Sequence, residues 1–430
     1  MVTVLKAYTG FLHIIITCTC TFLLMKYYRG SNGPWINFVL AMASMSICHL
    51  DRQWKGYYGD TTLDYSGALM VLTIKLSSFG WSVHDGRMQD QTGLTEYNQR
   101  MKITRFPSAV EFFGWALFFG GFLTGPACEF MDYMRFTNPR PEDVSKESVW
   151  MPAARSVLKG LFFCSILIKW APSINYFAAL EPAWDKLPFF KRLLFLQVSG
   201  LMTRSKYYVV WSLAEGACIL SGFGFNGYDQ QGCPRWDRLV NVRIVDVETA
   251  QSYKLLGEAW NIGANIWLRH YVYLRMTPAG TKPRPSSAIV TYAVSSMWHG
   301  FHPGYYFMFI SVSFLQILAR KVRSCVRPLM FTPDGKEPLP FWNTAYNTVG
   351  WIMTMGIMNI LIAPFDVLYV ARTMHIWRGV YLFHFWFYLA ALTLWYVSHP
   401  LLFAWQKRRM EKAGVTREAT SKDARNEKMD

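Results

Sequence analysis

The sequence predicts an all-α fold: a polytopic bundle of transmembrane helices with broken or re-entrant segments. Three observations lead there. Hydrophobic residues make up 52% of the chain and aromatics 17%, while charged residues reach only 17%, against about 25% in soluble domains. Several apolar runs approach or exceed the roughly 20 residues that cross a bilayer as a helix. These runs are continuous rather than alternating, which argues against a membrane β-barrel.

In chain order the clearest runs are 8–25, 35–50, 109–128, 156–171, 286–318, 344–370 and 378–405. Two more, 66–83 and 189–225, are apolar but carry a few charges. Together they predict eight to ten membrane segments. The first run has no basic leader and no small-residue cleavage site, so it reads as a helix rather than a signal peptide. Polar interruptions at 51–65, 84–108, 132–155, 226–256, 271–285 and 330–343 separate the runs. Residues 84–108 are expected to form a surface loop with a short helix at most, and the Pro-rich, charged 132–155 a second loop. Residues 235–270 differ. From Glu248 onward the pattern fits an amphipathic helix with Leu255, Leu256, Ala259 and Trp260 near one side. It is too polar to span freely and is expected at the interface or as a re-entrant segment. There is no internal repeat and no soluble second domain. Residues 1–405 read as one membrane-embedded domain and 406–430 as a polar tail, disordered or interfacial.

The net charge of +16, from 44 basic and 28 acidic residues, would suggest nucleic acid on a soluble chain. Here the excess sits in loops beside apolar runs, where orientation and anionic lipid surfaces account for it. No nucleic-acid partner is expected. Arg269, Arg275, Lys282 and Arg284 lie in one acid-free connection, and Arg320, Lys321, Arg323 and Arg327 form another basic cluster. Both clusters, and the tail with its eight basic and five acidic residues, are expected to face the cytoplasm. The eight cysteines lie mostly in apolar runs and show no disulfide or zinc spacing, so they read as small core residues. The sequence holds no N-x-Ser/Thr sequon.

Chemistry is concentrated in "SSMWHGFHPGYYF", residues 295–307. His299 and His302 sit in a run that otherwise reads as membrane, beside Gly300, Pro303 and Gly304. Such punctuation breaks a helix, and broken helices at membrane depth occur where they line a cavity or are buried in protein. An ionisable residue there suggests function. The residues alone leave two readings of His299 open, a general base or an interhelical hydrogen bond. For His302, beside Pro303 and expected nearer an interface, the structural role is favoured. "EAWNIGANIWLRHYVYLR", residues 258–275, supplies Asn261 and Asn265 among aromatics. An Asn amide can donate to a developing oxyanion or orient a hydroxyl, or it can cap a helix. Other chemistries fit less well. There is no GxSxG elbow and no Walker A loop, His-box motifs are missing, and two histidines are too few for a metal centre. The Gly-rich "SGFGFNGYD", 221–229, lacks the Lys-Ser/Thr of a phosphate loop and reads as a turn.

The chain resembles the membrane-bound O-acyltransferase (MBOAT) family, and within it the fungal lysophospholipid acyltransferases. The signature His segment, WHG-x-x-PGYY, is matched by "WHGFHPGYY", and the signature Asn segment, WN-x(5)-W, by "WNIGANIW". That match selects Asn261 over Asn265. Supporting segments occur at 63–86, 122–133, 204–229 and 235–252, and the resemblance covers about 45 to 405. It also implies one or two membrane segments ahead of the part matching residue 1, and a longer acidic, lysine-rich tail than this chain shows.

The resemblance implies an internal tunnel and transfer of a fatty acyl group from acyl-CoA to the free hydroxyl of a lysophospholipid, in phospholipid synthesis and remodelling at the endoplasmic reticulum membrane. His299 would be the base and Asn261 the amide that steadies the oxyanion or the hydroxyl. Substrate contacts are expected from Trp260, Trp298, Arg269 and Tyr305. Acyl-CoA would enter from the cytoplasm, its phosphates meeting Arg269, Arg275, Lys282 or Arg243. The lysolipid would enter from the leaflet. No metal or prosthetic group is implied, acyl-CoA being a co-substrate, and a homo-oligomer stays open. Transfer to a sterol or protein is the rival within the family. A transporter with a proton-relay His is the rival outside it, and would call for paired intramembrane acids; Glu111, Glu129 and Glu215 are the only ones to hand.

Overall fold

The computed structural model describes residues 8–56, 65–277, 281 and 285–414. Every regular element among them is helical; two isolated bridges, Tyr228 with Pro234 and Phe331 with Pro338, are the only strand-like pairings. Eight helices there have 20 residues or more: Tyr8–Tyr27, Gly33–Trp54, Ser66–Arg87, Trp150–Trp170, Phe189–Leu220, Pro303–Val326, Pro340–Leu361 and Phe383–Lys412. Five stretches are long and apolar enough to cross a membrane: Tyr8–Tyr27, Gly33–Trp54, Trp150–Trp170, Pro340–Val367 and Phe383–Lys412. The remaining long helices carry charges along their length, among them Lys75 and Arg87 on Ser66–Arg87 and Lys191, Arg192, Arg204 and Lys206 on Phe189–Leu220.

The chain divides into two compact units. The first comprises residues 1–173, 202–244 and 257–309. Its core is built on Ser66–Arg87, which is buried along nearly its whole length. Tyr8–Tyr27 and Gly33–Trp54 pack against it, and the Asn37 amide donates across to the Leu76 carbonyl at 2.7 Å. Phe79 anchors an aromatic cluster with Phe112, Trp115 and Phe130, ring centroids 4.9–5.7 Å apart. Burying such rings is worth roughly 1.5–3 kcal/mol each by area, with edge-to-face geometry adding about 0.5–1.5 kcal/mol per pair.

Residues 109–128, expected to span, do not form one helix. Ala109–Ala116 is eight residues long, opened by a capping box between Ser108 and Glu111. Turns around Gly120 and Gly121 and a cis Gly125–Pro126 bond follow it. Phe112, Trp115, Ala116, Phe118 and Cys128 are buried in the first unit's core instead, with the Trp115 indole donating to the Cys128 carbonyl at 2.9 Å. The run 286–318 breaks where the Gly/Pro pattern indicated: one helix, Pro285–His299, ends at the histidine and Pro303–Val326 begins after three intervening residues. The 84–108 loop contains one short helix, Glu96–Met101.

The second unit comprises residues 174–201, 245–256 and 310–430. Buried amides and phenols tie it together. Tyr176 donates to the Asn359 carbonyl, the Asn359 amide to Gln197 Oε1 at 2.8 Å, and the Gln197 amide to the Gly356 carbonyl at 3.2 Å. The expected run 378–405 is interrupted: Val370–Gly379 is followed by Tyr381 and Leu382, both at positive φ, before Phe383–Lys412 starts. This last helix continues past Gln406 to Lys412, so the first part of the polar tail is helical; residues 415–430 lie outside the described residues.

Candidate active site

His299 is the last residue of its helix. Gly300 follows at φ +125°, a conformation that suits glycine, and turns the chain sharply. The imidazole, half-buried, lies among Trp298, Tyr305 and Phe309, with ring centroids 4.7, 5.8 and 5.2 Å away. The neighbouring backbone is held from two sides. The Trp298 indole donates to the Met70 carbonyl at 2.9 Å, and His49 Nε2 lies 3.2 Å from the Trp298 carbonyl. These two contacts hold the backbone that carries the imidazole in place. His302 is buried, only 1% exposed.

Asn261 begins the short helix Ile262–Trp267 in the left-handed conformation, φ 44° and ψ 57°. Asn tolerates this region better than other non-glycine residues. Its Oδ1 accepts from the Asn241 amide at 3.2 Å. Asn265 is occupied differently: its amide donates to the Gly257 carbonyl at 2.5 Å, bracing the chain ahead of the helix. The far end of the helix reaches the histidine's neighbourhood. Trp267, fully buried, donates from its indole to Ser77 Oγ at 2.8 Å and packs 6.0 Å from Trp298. The Asn261 and His299 segments therefore meet through a pair of indoles, about 9 Å along the helix axis from Asn261.

The other expected contacts fall in different places. Tyr305 and Trp298 line the histidine. Trp260 joins Tyr207, Tyr208 and Trp211 in a separate aromatic cluster, with centroids 5.1–6.0 Å from its own. Arg269 is exposed, on the π-helical turn Leu268–Tyr273. Arg275, expected from the sequence among the phosphate-facing bases, is committed elsewhere: its guanidinium makes a two-point ion pair with Asp85, at 2.8 and 2.5 Å, and lies over Trp81. Arg243 Nη2 donates to the Glu258 carbonyl at 3.2 Å. Lys282 and Arg284 lie outside the described residues.

A polar cavity of about 460 Å³ opens beside the Asn261 helix, with Gly263 and Ile266 in its wall. Lys75, Arg100 and Arg238 line it together with Glu129, Asp132 and Asp237. Sequence reading passed over Lys75, a lone charge in an apolar run. It is 1% exposed and caps the carbonyls of Trp115 and Ala116 at 2.5 and 3.1 Å, where Ala109–Ala116 ends. Glu129, at the start of the short helix Phe130–Thr137 and outside the long apolar helices, accepts from Tyr97 at 2.9 Å. Burial raises its pKa to about 7. The acids that a proton-relay reading would pair are each taken locally: Glu111 by Ser108 and Arg105, Glu215 by Ser156 and Lys159, Glu129 by Tyr97.

Comparison with known proteins follows the same lines. The membrane-bound O-acyltransferase family profile matches residues 52–363, a range that holds both Asn261 and His299. The chain is 33% identical over 383 residues to a lysophospholipid acyltransferase of Schizosaccharomyces pombe, covering 87% of this chain and 74% of that one. It is 32% identical over 404 residues to a lysophospholipid acyltransferase of Saccharomyces cerevisiae, covering 88% of this chain and 65% of that one. A membrane-bound glycerophospholipid O-acyltransferase 2 of Gallus gallus is 28% identical over 386 residues. The chain thus spans about two thirds to three quarters of the length of these relatives. It is a multi-pass membrane protein and belongs to the membrane-bound O-acyltransferase family.

Proposed function

We propose that this protein transfers a fatty acyl group from acyl-CoA to the free hydroxyl of a lysophospholipid, in the endoplasmic reticulum membrane, with His299 as general base and Asn261 as the donor to the developing oxyanion. The observation that carries the reading is that the matched family range includes both residues, each at a break in a helix, while two fungal relatives at 32–33% identity are named lysophospholipid acyltransferases.

The chemistry follows from the residues. An alcohol is a weak nucleophile until a base takes its proton. A neutral imidazole does so at pH 7, for a gain of roughly 10²–10⁴ in rate. The alkoxide oxygen then bonds to the thioester carbonyl carbon, and the negative charge moves to the carbonyl oxygen. The Asn261 amide stabilises that charge. Collapse breaks the C–S bond, and the imidazolium returns its proton to the CoA sulfur. No acyl-enzyme is needed. Arg100 and Arg238 in the polar cavity offer guanidinium groups to the anionic parts of either substrate. The phospholipid names of the relatives above favour a lysophospholipid over a sterol or protein acceptor, and Glu111, Glu129 and Glu215 each bond to local partners rather than to one another.

The test is direct. Membranes carrying the protein are incubated with labelled acyl-CoA and, separately, lysophospholipids, a sterol and an acceptor peptide. Label is expected in diacyl phospholipid. Label in the sterol or peptide alone, or in no acceptor, overturns the reading.

A further inference from the structure

Residues 241–243 run alongside the loop that carries Asn261 and bond to it on both sides. The Arg243 amide N–H donates to the Ala259 carbonyl at 3.0 Å, and the Ile262 N–H donates to the Asn241 carbonyl at 2.9 Å. Between these two backbone bonds sits the Asn241 side chain, 4% exposed. Its Oδ1 accepts from the Gly263 N–H at 3.0 Å, and its Nδ2 donates to Asn261 Oδ1 at 3.2 Å.

This arrangement settles which way round both amides lie. The Gly263 group is a backbone N–H and can only donate, so the Asn241 atom it meets is oxygen. The other branch of Asn241 is then the NH2 group, a pure donor. Whatever Asn261 presents to it must accept, so Asn261 Oδ1 faces Asn241. The Asn261 NH2 group is left directed away, as a donor for another partner. The direction is the one an oxyanion needs. The opposite rotamer, with a carbonyl oxygen facing the reacting centre, would repel the developing charge.

We infer that Asn241 is a positioning residue: it clamps Asn261 in its left-handed turn and fixes the side-chain amide so that the NH2 group, not the oxygen, is offered to the reacting carbonyl. This rests on the proposed role of Asn261. Asn241 acts through Asn261 and does not itself touch the substrate.

The test is a double-mutant cycle on the full-length protein in detergent, with wild type, Asn241→Ala, Asn261→Ala and the double variant. Transfer of labelled acyl-CoA to lysophosphatidylcholine gives kcat and KM, and thermal unfolding gives the midpoint. Asn241→Ala is expected to lower kcat about tenfold or more while KM changes less than about twofold, because a misaligned donor forfeits much of the roughly 10² of one oxyanion contact. In the Asn261→Ala background the same substitution is expected to change kcat by less than about twofold, since the group it positions has gone. A purely structural Asn241 would lower the midpoint but leave kcat per folded molecule intact. An unchanged kcat, or the same fold-loss in both backgrounds, overturns the inference.

Should Asn241→Ala fail to fold, Asn241→Asp keeps the size and still accepts from Gly263. It turns an acceptor toward Asn261 and so reverses that amide; kcat is expected to fall at least as far, and wild-type kcat in this variant overturns the clamp. If wild type transfers no acyl chain, the proposed activity falls. The clamp is then judged by the midpoints: single-variant shifts that together exceed the double's shift retain it, and additive shifts reject it.

Discussion

Asp85 and Arg275 form a two-point ion pair across 190 residues of sequence, with Arg275 Nη1 and Nη2 at 2.8 and 2.5 Å from the two carboxylate oxygens. Asp85 is 1% exposed, and the guanidinium also stacks over Trp81 at 4.5 Å. The pair fastens the end of Ser66–Arg87 to the turn that leaves the Asn261 helix. Removing one partner strands the other charge, which costs roughly 3–5 kcal/mol. Asp85→Leu or Arg275→Met alone is therefore expected to lower the thermal midpoint in detergent sharply, and the double variant to lose less than either single one. A double variant worse than both singles would show that the pair's attraction outweighs its desolvation.

His299→Ala is expected to reduce acyl transfer by roughly 10²–10⁴ at unchanged folded-protein level. His302, buried and outside the ring cluster's nearest contacts, should behave differently. His302→Ala is expected to cost stability, about 0.5–3 kcal/mol as for other buried substitutions, but to retain most turnover per folded molecule. Radiolabelled acyl transfer normalised to folded protein separates the two outcomes; near-normal turnover in His299→Ala would remove the general base from the mechanism.

The two asparagines of the motif should also separate. Asn261→Asp keeps the size, removes the donor and adds a charge beside the proposed oxyanion, so kcat is expected to drop by roughly 10² or more. Asn265 holds the Gly257 carbonyl. Asn265→Ala leaves that carbonyl without its side-chain partner and is expected to lower the midpoint by about 1–3 kcal/mol of stability, with kcat per folded molecule largely kept. A larger kcat loss in Asn265→Ala than in Asn261→Asp would reverse the assignment.

Glu129 gives a pH signature. Burial is the main cause of its raised pKa, near 7; Asp132 adds to the rise, while Tyr97, Tyr271 and Ser78 hydrogen bonds oppose it. The folded state therefore holds this proton more tightly than the unfolded chain, whose value is about 4.3. The group's contribution to stability is complete below that value and is lost as pH rises to about 7. Glu129→Gln mimics the protonated form. Its thermal midpoint is expected to fall less than wild type's between pH 5.5 and pH 8; parallel declines would show that Glu129 does not titrate there.

Gly86 sets a packing limit. A Cβ at this position would stand 1.9 Å from the Ile103 carbonyl oxygen, a backbone atom held by the Ile103 N–H bond to the Ser82 carbonyl at 2.8 Å. Gly86→Ala is expected to destabilise by roughly 1–3 kcal/mol or more, as overpacking does, seen as a lower unfolding midpoint and lower protein yield.

Local pattern carried much of this protein. The length and continuity of the apolar runs determined the helical membrane class, because a helix satisfies its own backbone within one segment and so shows in local composition. Gly300 and Pro303 marked the break after His299, because a residue's effect on its own backbone is written beside it; the choice of Asn261 over Asn265 came from the family resemblance alone. What lay beyond reach was every partner distant in sequence. Residues 109–128 are as apolar as a spanning helix, yet only the folded chain shows a short helix and turns there, with Phe112 and Trp115 in the core. Arg275 reads as a free base until Asp85, 190 residues away, claims it. Asn241 lies in the 235–252 segment with nothing to single it out; its proposed role exists only where the folded chain brings its amide between Gly263 and Asn261. Periodicity reports which face of a segment is buried, but the identity of the facing group follows from packing alone.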